Sequence, residues 1–186
     1  MDAPRTAQDK QWITDVYRFW FEELQPEAWF RADPALDATV RERFADLHRS
    51  LMLDPASGPS PRAAVATAIV LDQFSRNMFR GTAAAYAADP LALRLSQAAI
   101  AARLDRDLSV RERQFLYMPF QHSEDLAVQR RSVALFADLG GPEHSGFAEE
   151  HLAIIERFGR FPHRNVILGR PSTPDEVEFL KTARAF

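Results

Sequence analysis

The chain has 186 residues, 46% hydrophobic and 26% charged, the make-up of one ordinary globular domain over 1–186 that needs no disulfide or metal in order to fold. It contains no cysteine, which excludes thiolate metal sites, iron–sulfur clusters, cysteine nucleophiles and disulfide scaffolds. A formal net charge of −3 lacks the basic excess of a protein built to wrap nucleic acid or to hold an anionic membrane.

The opening MDAPRTAQDKQW has no basic stretch followed by an apolar one, so no secretion signal is read there. The longest apolar stretch, Ala66 to Leu71 apart from Thr67, is far below the roughly 20 residues that cross a bilayer, and a cytoplasmic protein is expected. Helical period begins around Trp12, Val16, Tyr17, Trp20 and Leu24. Asp33-Pro34 then marks a helix start, a side-chain oxygen to accept from a free first-turn N–H and a proline with preset φ. The stripe that follows, Leu36, Val40, Phe44, Leu47 and Leu51, leaves Arg41, Glu42, Asp46 and Arg49 off the core face.

Ser57-Gly58-Pro59-Ser60-Pro61 reads as a surface loop closing on a second start at Ser60-Pro61. Asp89-Pro90 reads as a third start, and Ser109 with Glu112 as a capping box. Another helix begins near Ser123, with Ser123 or His122 at the cap and Glu124 and Asp125 as first-turn acids, and Gly140-Gly141-Pro142 ends it. Looser helical patterns follow at Phe147, Ile154, Ile155 and Phe158, before the start at Thr173-Pro174 with Glu176 as box partner. No pair of alternating runs joined by a tight glycine turn occurs, so the fold class is all-α, about seven to eight helices with no sheet.

Only Lys10 and Lys181 are lysines among the 23 basic residues; arginine suits two-point grips on carboxylate or phosphate, though a GC-rich genome gives the same bias. Three clusters carry the polar chemistry. In the first, Asp72, Gln73, Arg76, Asn77 and Arg80 share one side of a helix by their spacing. In the second, Tyr117-Met118-Pro119-Phe120-Gln121-His122-Ser123-Glu124-Asp125 sets a histidine beside carboxylates, a pairing suited to proton transfer near neutral pH. In the third, Arg157, Arg160, His163, Arg164 and Asn165 lie on a turn bracketed by Gly159, Pro162 and Gly169 and anchored by Phe158 and Phe161.

The strings DQFSRNMFRG, YMPFQHSEDL and RFGRFPHRNVILGR, with the opening FWFEELQPEAWF, resemble the bacterial family catalogued as domain of unknown function 924 over nearly the whole chain. That resemblance implies a tetratricopeptide-like αα-superhelix and supplies no reaction, substrate or cofactor. Two departures stand out: the family's usual glycine is missing from Ala102-Arg103-Leu104-Asp105, and its Ser-rich C-terminus is Lys181-Thr182-Ala183-Arg184-Ala185-Phe186.

The expectation is a binding module in which the three clusters meet in one cleft. There Arg76, Arg80, Arg157, Arg160 and Arg164 grip an anionic small molecule or acidic peptide, and Gln73, Asn77, His163 and Asn165 orient it. A hydrolase-like alternative makes His122 the general acid or base, with Glu124 and Asp72 beside it and arginines stabilising negative charge. A third reading makes the clusters internal struts of a scaffold. The histidines show no chelating spacing, so neither metal nor cofactor is expected, and oligomeric state is not legible.

Overall fold

The computed structural model describes residues 8–55 and 60–182; Ser57, Gly58 and Pro59 of the expected loop, and 183–186 at the C-terminus, lie outside the described residues. Helix α1 (Gln8–Tyr17) runs on as a π-helical stretch, Arg18–Glu23, to a 3-10 turn at Pro26–Ala28. After α2 (Pro34–Leu53), one continuous helix is built from α3 (Pro61–Ala68), a π-helical stretch at Ile69–Phe74, and α4 (Ser75–Met78). A 3-10 turn at Ala83–Tyr86 leads to α5 (Asp89–Ala101), α6 (Val110–Gln121), α7 (Leu126–Ala137) and α8 (Pro142–Phe158). A 3-10 turn at Pro162–Arg164 precedes α9 (Pro174–Leu180). With α3 and α4 taken as one, the described residues form eight helices and no strand, the all-helical array expected from the sequence.

The start signals act locally where nothing competes for them. Asp33 Oδ1 accepts from Ala35 N and Leu36 N at 2.9 and 3.3 Å, and Ser60 Oγ from Ala63 N at 3.1 Å. Both capping boxes form, Ser109 with Glu112 and Thr173 with Glu176. Two expectations need correction. Asp89 is not a cap: α5 starts without a side-chain cap, because that carboxylate is drawn into ion pairs with arginines from two other parts of the chain. Helix α7 starts later than expected, with Asp125 as its N-cap accepting from Val128 N at 2.9 Å, so Glu124 lies before the helix.

Arg103 closes α5 with φ +60°, and no other non-glycine residue described has a positive φ. Its neighbours carry the bonds of a left-handed closure, Leu104 N to Ala99 O at 3.0 Å and Arg103 N to Ile100 O at 2.9 Å. This is the stretch where the family resemblance leads one to expect glycine.

The core is aromatic. Phe74 packs on Phe44 (centroids 4.6 Å apart) and Trp20 (5.5 Å), and Trp20 on Phe115 (5.3 Å). Trp29 joins through its Nε1–H, which donates to Trp20 O at 2.9 Å, whereas Phe30 is 64% exposed. Helices α2, α5 and α6 pack around the continuous α3–α4 helix, and α6, α7 and α8 pack in succession. A smaller apolar cluster of Ile154, Ile155 and Phe161, with Phe158 and Phe179 against it, anchors the chain that follows α8. These contacts bring the end of α6 and the turn after α8 to the polar middle of α3–α4. No described helix is long and apolar enough to cross a membrane.

Candidate functional site

The π-helical stretch Ile69–Phe74 is buried along its whole length. Such stretches fit one extra residue into a turn and recur at functional sites. Asp72 sits here with no solvent exposure. Its carboxylate accepts from Gln73 Nε2 at 2.6 Å and His122 Nδ1 at 2.7 Å, and Arg76 Nη1 lies 3.2 Å from Oδ1. Burial works to raise the Asp72 pKa, but Arg76, His122 and Gln73 outweigh it and hold the carboxyl below its usual range. An ionised carboxylate only accepts, which puts the imidazole proton on Nδ1 of His122. Burial, and then the charge of Arg76, hold the His122 pKa below its ordinary value against the pull of Asp72. At neutral pH its Nε2 is therefore a lone-pair nitrogen.

Asp89 is held from two sides. Arg76 grips it with both terminal nitrogens, at 3.0 and 3.1 Å, and Arg164 Nη1 comes within 3.4 Å of Oδ2. Half-buried Arg76 and buried Arg164 thus face two carboxylates, Asp72 and Asp89, and a protonated His122 would be a charge in excess. The Arg164 guanidinium lies 4.5 Å from the Tyr86 ring centroid and 4.6 Å from that of Phe161, cation–π contacts that fix its plane. Only 8% of the Arg164 side chain is exposed, and its Nε–H has no partner among the described residues. Burial and the neighbouring Arg76 lower its pKa.

Asn77 and Arg80 turn instead to Asp37, in the first turn of α2. Asn77 Nδ2 donates to Oδ1 at 2.8 Å, and Arg80 donates from Nε at 2.6 Å and Nη2 at 2.8 Å. The helical spacing expected from sequence puts these five residues on one side, but their bonds diverge: Asn77 and Arg80 go to Asp37, Gln73 to Asp72, and Arg76 to both Asp72 and Asp89.

A cavity of about 180 Å³ opens among these groups. Arg31, Arg76, Arg80 and Arg164, His122, His151 and His163, and Gln73 and Asn77 line it, with Trp29, Phe30, Tyr86 and Met118 supplying apolar wall. No carboxylate is among these lining residues; the acids that pair the arginines, Asp33, Asp37, Asp72 and Asp89, stand outside the lining. Burial and neighbouring charge push His151 down to about 3, with His122 the second cause, and His163 down to about 4, with Arg164 the second. No three His, Asp or Glu side chains among the described residues come together as a metal-ligand set.

Of the residues singled out in the sequence, Gln73, Arg76, Asn77, Arg80, His122, His163 and Arg164 line this cavity, and Asp72 is bonded to its His122 wall. Glu124, Arg157, Arg160 and Asn165 do not. Glu124 accepts from Phe161 N at 2.7 Å and from Arg170 at 2.7 and 3.0 Å. Arg160 donates to Glu176 at 2.6 and 2.8 Å and to Pro171 O at 2.9 Å, and Arg157 pairs with Asp175 at 3.2 Å. Asn165 donates to Ser172 Oγ at 3.1 Å and accepts from Arg170 Nε at 3.0 Å. These four fasten the turn after α8 to the starts of α7 and α9, and so position Arg164. Sequence reading missed Arg31, Asp37 and Tyr86, and took Asp89 for a cap; no local pattern distinguishes any of them.

A family model described as "Bacterial protein of unknown function (DUF924)" matches residues 16–184. A solved structure of a protein of unknown function, ATU0120 from Agrobacterium tumefaciens, is 40% identical, with 97% of this chain and 100% of that chain covered and a TM-score of 0.86. No curated protein matches the chain.

Proposed function

The chain belongs to the bacterial family DUF924, a membership that names no activity, and from the cavity itself we propose that the protein binds a small molecule carrying a carboxylate or phosphate. The observation that carries this reading is Arg164. It is a buried cation whose one carboxylate contact among the described residues, at 3.4 Å, goes to an Asp89 already gripped by Arg76. A buried charge with incomplete pairing is costly, and an anion in the cavity relieves that cost. The cavity is a little larger than one that holds a benzene ring, about 150 Å³, which suits a single compact anionic group. An acidic peptide fits this reading only through one terminal or side-chain carboxylate. A cytoplasmic location belongs to the same proposal, since a chain without cysteine suits a reducing compartment.

Thermal-shift measurements with inorganic phosphate, sulfate and small dicarboxylates test it. An anion at a hundred times its Kd adds about 2.7 kcal/mol to stability, a rise of several degrees, and Arg164→Met abolishes that rise. No stabilisation by any of these anions, or equal stabilisation of the variant, contradicts the reading.

The 2.7 Å bond between Asp72 and His122 favours a second reading, hydrolase-like acid–base chemistry. His122 Nε2 takes a proton from an attacking water and returns it to the leaving group, so one water is consumed and the imidazole ends neutral. His122→Gln then abolishes turnover of a bound ester or amide while leaving its binding in place.

A further inference from the structure

A second cavity, of about 380 Å³, adjoins the arginine-lined one, and Tyr86, His122 and Arg164 line both. The second differs in chemistry. Its remaining wall is mostly Ala83, Ala87, Pro90, Leu93, Pro119 and Leu168, with no further arginine. Its two acids are already engaged, Asp89 by Arg76 and Arg164 and Glu124 by Arg170 and the Phe161 N–H, so it offers a cation no unpaired carboxylate. Its volume lies within the range of about 300–1,000 Å³ usual for small-molecule sites, whereas the arginine-lined cavity falls below it.

Two adjoining compartments, one cationic and one apolar, that share three side chains are complementary to a ligand with those two halves. We propose that they form one site, and that its ligand is an amphipathic anion: a carboxylate or phosphate head among the arginines, and a short alkyl chain or ring against Leu93, Pro119 and Leu168. The inference rests on reading the first cavity as an anion site. It adds that the bond joining head to tail passes the shared wall, which places that bond beside the His122 ring. An apolar tail is the occupant the second wall favours, because each methylene taken out of water onto such a surface tightens binding about fourfold.

Calorimetric titration of two series tests this, straight-chain carboxylates from acetate to hexanoate and monoalkyl phosphates from methyl to butyl, with inorganic phosphate and formate as tailless probes. Affinity is expected to rise about fourfold for each methylene until the compartment fills, and the series with the tighter head identifies the natural anion. Ala87→Trp, which brings bulk into the second compartment, flattens the dependence on chain length, and Leu93→Ala, which enlarges it, moves the optimum to a longer chain. Tailless anions that bind while added methylenes bring no gain in the parent overturn the two-compartment site and leave the anion reading standing. A chain-length dependence that survives Ala87→Trp unchanged in a folded variant also overturns it. If neither head group binds in any form, the anion reading itself fails.

Discussion

Asp72 and His122 share a hydrogen bond of 2.7 Å, although one lies in the π-helical stretch and the other just past the end of α6, fifty positions apart in the chain. The pair is part of a charge cluster in which Asp72 and Asp89 face Arg76 and Arg164. Asp72→Asn removes one of the two negative charges and leaves two guanidiniums, one half-buried and one buried, on one carboxylate. The variant is expected to lose about 3 kcal/mol of stability at pH 7 in urea denaturation. A loss below about 0.5 kcal/mol means that the interior charges are not coupled in this way.

Arg103 holds the left-handed closing position of α5 at φ +60°, a conformation that costs a side-chain-bearing residue about 1–2 kcal/mol. Arg103→Gly releases that strain and gives back part of it as unfolded-state entropy. A net gain of about 0.5–1 kcal/mol is expected, read as a higher urea midpoint with an unchanged slope. Destabilisation means that the arginine side chain contributes more than its backbone costs.

The histidines make the fold sensitive to mild acid. Folded, His151 and His163 stay neutral down to about 3 and about 4; unfolded, they take up protons below about 6.5. Between those values the unfolded chain binds more protons, so stability falls as the pH drops from about 6.5 toward 4 for His163 and on toward 3 for His151. His122 and His48, whose pKa values are also lowered, act in the same direction. The carboxylates held low, Asp37 and Glu124 among them, lose their contribution only below about 4, so the range above pH 5 belongs to the imidazoles. His163→Gln is expected to flatten the dependence of unfolding free energy on pH by up to about 1.4 kcal/mol per unit between pH 6 and 5. An unchanged slope contradicts a neutral, half-buried His163.

Arg160 separates the architecture from the cavity. Paired with Glu176 and Pro171 O, it holds α9 and lines no part of the arginine-lined cavity. Arg160→Ala is expected to lower the melting temperature and to leave the anion-induced shift at the parent value. Loss of that shift with the melting temperature kept places Arg160 in the site instead.

Local signals were legible in the sequence and tertiary ones were not. Asp33, Ser60, Ser109 and Thr173 each cap the helix that follows, because each bond is closed within three residues. Asp89 has the same pattern of an acid before proline, yet its partners are Arg76 and Arg164, thirteen and seventy-five residues away. The π-helical stretch at Ile69–Phe74 has no sequence mark either, and it breaks the strict 3.6-residue spacing by which Asp72, Gln73, Arg76, Asn77 and Arg80 are read as one face. Arg157, Arg160, Arg164 and Arg170 look alike in the sequence. Only the fold makes Arg164 the one that is buried between Tyr86 and Phe161, while Arg157, Arg160 and Arg170 bind the acids of neighbouring segments.

Arg164 is a buried cation with one carboxylate contact among the described residues, at 3.4 Å, and on the proposed reading an anion in the cavity completes its pairing. Nitrogen-15 NMR of the arginine Nε–H groups, followed as inorganic phosphate or a small carboxylate is titrated in, reports on that guanidinium, with Arg164→Met assigning its resonance. A saturable shift of the Arg164 signal, and of Arg76 beside it, is expected, while Arg160 stays in place. Saturable shifts confined to exposed arginines such as Arg157, or no shift at any anion concentration, contradict that reading.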